Sequence, residues 1–381
     1  MKMMKKMVVL FATATLLSVF SVWSVAADEP SLSSASAVVI EADSGEVLYA
    51  KDPHTARPMA STTKLMTALI AAEALPLDTE VTVTASAVAV EGSALGLRAG
   101  DKIFLSDLLT GLLLESGNDA ANMTAEAVAG DLPAFALRMN QKAAALGMKD
   151  SCFVTPSGLD APGHAASAYD MALLGRAVLR HPFLKEVCAT KSTTVWFGDP
   201  KREIYVRNHN RLLTLSKDCI GMKTGFTKKA GRCLVSAAER GGITIVVATL
   251  NGGDYWNDHK KLYEYAFSRL ERVPLSLPTL DFLPVVGGTV KDIPLTLETP
   301  PSVTLRAGKG EEIKTAIQLP RFVWAPIEAG EKVGQVTYTL GDRVLAQLPI
   351  LAEKSVEMRP VFTVFERFFR NFQEILLAFF E

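Results

Sequence analysis

The sequence predicts an α+β protein: an antiparallel sheet flanked by helices, followed by a small β-sandwich and a terminal amphipathic helix. Three observations carry this expectation. A hairpin pattern precedes an Ala- and Leu-rich helical middle, and a run of β-branched strands follows from Ile204. Beyond Pro274, short β-rich pieces alternate with Pro and Gly, as in a sandwich. After Pro360, apolar residues recur at helical spacing.

The chain opens with Lys2, Lys5 and Lys6, then an apolar run from Met7 to Val25 that closes in Val25-Ala26-Ala27. A basic start, an apolar centre and small residues at the end form the pattern of a cleaved signal peptide over residues 1–27. The run is also nearly long enough to span a bilayer, so an uncleaved anchor is the competing reading. Either one puts the remainder outside the cytoplasm. About 350 residues remain, more than one core usually holds. We expect a first domain over 28–274, a sandwich stalk over 275–353 and a terminal helix over 354–381. A net charge of −1 argues against a nucleic-acid partner, which asks for a basic face. Export permits disulfides among Cys152, Cys188, Cys219 and Cys233, but each has apolar neighbours, so buried free thiols are an equal expectation. Five scattered histidines show no ligand spacing, and neither a metal nor another cofactor is expected.

Taken in order, Ala35 to Ile40 and Glu46 to Ala50 read as strands around the turn Asp43-Ser44-Gly45. Ser61 opens a helix that runs towards Pro76, and Thr79 to Ala85 is β-rich. Leu105 to Leu114, Ala120 to Ala129 and Leu132 to Leu146 are helical in texture, giving what reads as an all-α subdomain. A loop at Thr155-Pro156-Ser157-Gly158-Leu159 precedes a helix over Ser167 to Leu179. Cys219 to Phe226, Gly231 to Ala238 and Ile243 to Leu250 read as a meander of central strands, closed by a helix from Asp258 to Leu270.

Three short motifs carry chemistry. In Ser61-Thr62-Thr63-Lys64, the i,i+3 spacing puts hydroxyl and amine on one helix face. A serine is a poor nucleophile without a base in hydrogen-bond reach, and a buried lysine can serve because desolvation disfavours its charged form. Alone, this is also an ordinary helix cap, and roughly one or two such matches arise by chance in a chain of this length. Ser116-Gly117-Asn118 lies between two helices and offers a hydroxyl to relay a proton and an amide to hold a peptide group. The same residues also suit adjoining caps. Lys223-Thr224-Gly225 lies on a strand, where a cation beside a hydroxyl suits a carboxylate, and Gly225 admits close backbone approach. Their order and placement make the set specific, and it matches the signature of class A β-lactamases and penicillin-binding proteins.

With these residues in view, the chain resembles the low-molecular-mass penicillin-binding proteins that act as serine-type D-alanyl-D-alanine carboxypeptidases. The resemblance runs over about Ala35 to Phe267. It includes Asp43-Ser44-Gly45, Ser116-Gly117-Asn118-Asp119-Ala120-Ala121, Pro156-Ser157-Gly158-Leu159, His164 with Ser167-Ala168-Tyr169-Asp170, Asn210-Arg211-Leu212-Leu213 and Gly221-Met222-Lys223-Thr224-Gly225-Phe226-Thr227. It implies a penicillin-binding, serine β-lactamase-like fold and peptidoglycan stem pentapeptides as substrate, with β-lactams as covalent inhibitors. It implies Ser61 as nucleophile, Lys64 as its base, and the backbone N–H groups of Ser61 and Phe226 as oxyanion hole. Ser116 with Lys223 would protonate the leaving amine, and Asn118 would hold the substrate amide. Lys223 and Thr224, with Arg211 as a further candidate, would bind the terminal carboxylate. A class A-like β-lactamase is the rival enzyme, although no Glu-x-x-Leu-Asn run lies between Asn118 and Lys223. A catalytically silent peptidoglycan-binding protein is the rival from another class.

The tail contributes strands over Val285–Val290, Ile293–Leu297, Ser302–Leu305, Ile313–Leu319, Lys332–Leu340 and Arg343–Leu348, with no catalytic grouping. In the last segment, Val361, Phe362, Phe365, Phe368, Phe369, Phe372, Ile375, Leu376, Phe379 and Phe380 fall at helical spacing. Glu366, Arg367, Arg370, Asn371, Gln373 and Glu374 lie opposite. Too short in its apolar run to span a bilayer, it reads as an in-plane anchor to a membrane surface. Packing on the sandwich or on a partner is the alternative.

Overall fold

The computed structural model describes residues 29–360 and 364–379; the expected leader, residues 1–27, lies outside the described residues. Strands β1 (Ser36–Glu41) and β2 (Val47–Lys51) form the first hairpin. Its turn is pinned by the Glu41 carboxylate, which accepts the Ser44 N–H at 2.6 Å. A 3-10 turn over Ala60–Thr63 leads into α1 (Lys64–Ala74), so the α-helix proper begins three residues later than its serine. Then come β3 (Glu80–Thr82), α2 (Ala85–Val88), β4 (Lys102–Phe104), α3 (Leu105–Leu114), α4 (Asn118–Ala129), α5 (Leu132–Ala145), α6 (Ala168–Leu179) and α7 (Pro182–Ala189). The unit continues through β5 (Ser192–Phe197), β6 (Arg202–Arg207), α8 (Leu212–Leu215), β7 (Cys219–Thr227), β8 (Gly231–Arg240), β9 (Ile243–Gly252) and α9 (Tyr255–Phe267).

The central sheet has the order β2-β1-β9-β8-β7, antiparallel throughout. Side chains alternate across a strand, and both faces are apolar. Val38, Ile40, Val235, Ala237, Val246 and Ala248 pack against helices α1, α3, α4, α6 and α7. Ala37, Val39, Leu234, Ala238, Ile245 and Val247 pack against α9 through Leu262, Tyr263 and Ala266. The sheet is therefore the middle layer of three, and β7 lies at its edge.

Two expectations are corrected. The helical middle is not all-α: β3, β4, β5 and β6 form a four-stranded antiparallel sheet beside it. Strands β3 and β4 are three residues each, too short for alternation to register, and β5 precedes the expected start at Ile204. The closing helix runs from Tyr255, capped by the Asp254 carboxylate, and stops at Phe267. Leu270 instead starts β10 (Leu270–Pro274). All four cysteines are free, with Cys188, Cys219 and Cys233 buried and Cys152 exposed.

The C-terminal β-rich unit holds β11 (Leu283–Val286), β12 (Asp292–Ile293), β13 (Leu295–Leu297), β14 (Ser302–Arg306), β15 (Lys314–Gln318), β16 (Val323–Trp324), β17 (Lys332–Leu340) and β18 (Arg343–Ala352). They pair as β13-β18-β17-β15 and β12-β11-β16, while β14 pairs back onto β10. Pro294, which has no N–H to donate, splits the single strand expected over Ile293–Leu297. Residues assigned by sequence to the terminal helix still belong to this unit: Val356 is buried in its core and bridges Ile327, and Met358 bridges Gly288. Across the two units, Arg306 donates to the Val47 carbonyl at 2.8 Å and pairs with Glu46. Helix α10 (Val364–Phe379) exposes Phe368, Phe369, Phe372, Ile375, Leu376 and Leu377. Among the described residues, no helix is long and apolar enough to cross a membrane.

Helix α6 meets the sheet through Gly175, where an added Cβ would lie 2.8 Å from Val246 Cγ1 and 2.9 Å from Val235 Cγ1. Gly175→Val must push α6 off the sheet, an overpacking cost of about 1–3 kcal/mol. The expected drop in melting temperature is about 2–9 °C for a protein of this size. An unchanged melting temperature in differential scanning calorimetry would contradict this packing.

Candidate active site

Ser61 stands in the 3-10 turn, one residue after Ala60, whose φ of +48° is a conformation non-glycine residues rarely adopt. Lys64, the first residue of α1, is fully buried. Its Nζ lies 2.9 Å from Ser61 Oγ, 2.7 Å from Asn118 Oδ1 and 2.7 Å from the Ser157 carbonyl oxygen. The amide of Asn118 is oriented by its other end, where Nδ2 donates to the Glu91 carbonyl at 2.7 Å. Asn118 Oδ1 and the Ser157 carbonyl can only accept, so they take two N–H bonds from the amine. The third direction faces Ser61 Oγ, where a neutral amine has its lone pair. Burial drives the Lys64 pKa well below the usual lysine value, and the nearby Lys223 charge pushes the same way. The arrangement therefore places an amine of lowered pKa within hydrogen-bond reach of the Ser61 hydroxyl.

Ser116 is buried between α3 and α4 with a φ of +64°, a costly conformation of the kind that clusters at functional sites. Next to it, the Asp119 carboxylate accepts the N–H groups of Leu95, Gly96 and Leu97 at 2.7, 2.9 and 3.0 Å. This clamp fixes the loop whose Ser93 carbonyl accepts the Asn118 N–H at 2.7 Å. Lys223 is buried on the edge strand β7, where desolvation brings its pKa down to about 8. Thr224 is half-buried beside it. A Cβ on Gly225 would lie 2.9 Å from both the Met59 carbonyl and the Ser61 nitrogen. Glycine there lets β7 close onto the turn that carries Ser61. Phe226 leaves its ring 64% exposed.

The structure thus brings Ser61, Lys64 and Asn118 into direct contact and sets Lys223 and Gly225 against them. Arg211 is different: it is exposed on the wall of an adjoining groove. Sequence reasoning gave no role to three contributors. The Ser157 carbonyl is a backbone ligand and leaves no side-chain signature. His164 holds its loop in place: Nδ1 accepts the Val154 N–H at 2.9 Å, which leaves Nε2 to donate to Thr63 Oγ1 at 3.0 Å. Burial lowers the pKa of this histidine to about 4, so it stays neutral. Glu115, next to Ser116, faces His209 Nε2 at 3.3 Å. Among the described residues, no group of His, Cys, Asp and Glu is arranged to hold a metal.

A fold of this kind, with a half-buried serine beside a buried lysine, defines a class of serine-type hydrolases, and the comparisons fix the family within it. Residues 23–253 match the family model described as D-alanyl-D-alanine carboxypeptidase, and residues 281–358 match that of the penicillin-binding protein 5 C-terminal domain. The chain belongs to the D-alanyl-D-alanine carboxypeptidase family and is a hydrolase. It is 31% identical over 344 residues to D-alanyl-D-alanine carboxypeptidase DacF of Bacillus subtilis, covering 87% of this chain and 88% of that one. With DacC of Escherichia coli the identity is 32% over 349 residues, covering 87% and 86%. Among solved structures, penicillin binding protein 5 from Haemophilus influenzae superposes with a TM-score of 0.64 at 27% identity, covering 86% of this chain and 99% of that one.

Two lysines should stand apart in a titration followed by NMR on lysine labelled at Cε. Lys223 should titrate near pH 8 and Lys64 well below the rest, each assigned by its substitution with Gln. Two resonances that titrate with the surface lysines would rule out the neutral amine.

Proposed function

We propose that the chain is an exported serine carboxypeptidase that removes the terminal D-alanine from peptidoglycan stem pentapeptides through an acyl-enzyme on Ser61. The observation that carries this reading is the buried Lys64 amine, held by Asn118 and Ser157 within hydrogen-bond reach of Ser61 Oγ. Lys64 takes the hydroxyl proton as Ser61 attacks the carbonyl between the two D-alanines. The oxyanion forms between the backbone N–H groups of Ser61 and Phe226, a reading supported by the contact of Gly225 with the Ser61 nitrogen. Ser116 and Lys223 return a proton to the leaving amine, and the C–N bond breaks. Asn118 holds the substrate amide, while Lys223 and Thr224 take the terminal carboxylate. Water then hydrolyses the ester. A β-lactam follows the same first step and remains on Ser61.

Export by residues 1–27 puts the enzyme on the outer face of the cytoplasmic membrane. Helix α10 would hold it there, lying in the interface with Phe368, Phe372 and Ile375 towards the acyl chains.

Ser61→Ala should lower kcat/KM for D-alanine release from diacetyl-Lys-D-Ala-D-Ala by roughly 10⁴–10⁶-fold. It should also abolish the adduct seen by intact-mass spectrometry after benzylpenicillin; retained release in this variant would sink the mechanism. The charged form of Lys223 binds the carboxylate and is lost as pH rises through about 8. KM should therefore climb about tenfold between pH 7 and 9, and a KM that stays flat to pH 9.5 would remove Lys223 from that role. A chain ending at Arg359, which keeps Val356 in its core, should lose co-sedimentation with liposomes. Undiminished binding would refute the anchor.

A further inference from the structure

The sandwich has two outer faces, and they differ. On the larger sheet, Gln318 of β15, Gln335 and Thr337 of β17 and Gln347 of β18 face outward, alternating with the buried Val336 and Tyr338. Polar residues are the ordinary occupants of such positions. The smaller sheet, β12-β11-β16, is apolar on both sides. Leu283, Val285, Ile293 and Ala325 fill its core side. The residues between them turn outward. There Val286 lies in register with Trp324, and the Phe322 ring meets the Trp324 ring edge-on with centroids 5.6 Å apart. Phe282 and Trp324 are 70% and 68% exposed. Met358, 58% exposed, extends the patch by bridging Gly288 just beyond β11. A contiguous exposed apolar patch of this kind marks an interaction surface.

Chain continuity decides what covers it. The Arg359 N–H donates to the Gly287 carbonyl at 2.8 Å, so the segment that leads to α10 is stitched into this same sheet. From Arg359 to Val364, the first residue of α10, is five chain steps, a reach of at most about 18 Å. A helix lying in the membrane interface, the reading on which this inference rests, therefore keeps the Met358 edge of the patch close to the lipid. The residues suit that place, since tryptophan concentrates at membrane–water interfaces. Charge sets no competing preference. The exposed Lys291, Arg321 and Arg359 that flank these strands are matched by the exposed Asp281, Asp292 and Glu357. A balanced rim neither seeks nor repels an anionic partner, so burial of the rings has to supply the attraction.

We propose that the outer face of β11 and β16, through Phe282, Phe322, Trp324 and Met358, is a second membrane contact that docks in the lipid interface beside α10. The β-rich unit then lies against the bilayer on this sheet instead of standing off it as a stalk. Two points of attachment fix how the unit is turned on the surface, where one would leave rotation about the tether open. The catalytic unit inherits that orientation through Arg306, which donates to the Val47 carbonyl and pairs with Glu46.

The test uses the mature chain, whose tryptophans are Trp196, Trp256 and Trp324, and vesicles of neutral phosphatidylcholine with brominated acyl chains. Tryptophan emission should shift to the blue and be quenched on binding. Trp324→Phe, which keeps the surface apolar, should remove most of that quenching while the chain still co-sediments. Phe322→Ser combined with Trp324→Ser should weaken binding to unbrominated vesicles about tenfold, with or without anionic lipid. D-alanine release from diacetyl-Lys-D-Ala-D-Ala should stay within about twofold in that variant, because both side chains face away from the core. Quenching that survives Trp324→Phe would overturn the proposal and leave α10 as the sole anchor. So would a double variant that binds as tightly as the unaltered chain, or a loss confined to anionic vesicles. If the unaltered chain binds no vesicles, the anchor reading fails first and takes this contact with it.

Discussion

Everything at this site depends on keeping one amine out of water. Lys64 sits at the start of a helix with no solvent contact, surrounded by three oxygens and no carboxylate within hydrogen-bond distance. A charged ammonium there would suffer a desolvation penalty and the repulsion of Lys223, which the Asp119 carboxylate offsets only in part. The environment therefore lowers the pKa of this amine, as a base in the proposed reaction requires. The surrounding architecture maintains that dryness. Helix α4 brings Asn118, the loop before α6 brings Ser157, and β7 seals the remaining side through Gly225. Displacing any of these walls admits water and returns the amine towards an ordinary lysine.

The second buried lysine extends the same logic. Lys223 lies close enough for its charge to depress Lys64 further, while its own pKa falls only to about 8. Two amines in one cleft, held in different degrees of desolvation, can therefore carry different charges at neutral pH. In the proposed reaction one accepts a proton and the other attracts a carboxylate. Such a division of roles between like groups requires only a difference in environment.

Much of this was legible in the chain. Ser61 with Lys64, Ser116 with Asn118 and Lys223 with Gly225 are residue signals at fixed spacing; the structure joins Ser61, Lys64 and Asn118 by hydrogen bonds and closes Gly225 onto the turn of Ser61. The central strands β7, β8 and β9 were legible too, because buried strands are apolar throughout. What escaped reading shares a physical cause. The Ser157 carbonyl, the left-handed backbone at Ala60 and Ser116, and the three-residue strands β3 and β4 are main-chain features set by tertiary contacts. Their residue types carry no periodicity and no special chemistry. His164 was noticed only as part of a resemblance, since nothing local reveals that Thr63 and Val154 will meet its two nitrogens. The boundary beyond Glu353 failed for a similar reason: Val356 is core only because Ile327 lies across from it.

That one of the three oxygens around Lys64 belongs to the backbone has an evolutionary meaning. A side-chain ligand such as Asn118 can be lost through a single codon change, but a carbonyl is supplied by whatever residue occupies position 157. Substitutions there would give up only the long bond from the Leu159 N–H to Ser157 Oγ and the fit of a buried side chain, while the carbonyl contact persists. Removing this contact requires moving the loop itself, through Gly158 or the His164 anchor, and that would disturb the turn carrying Ser61.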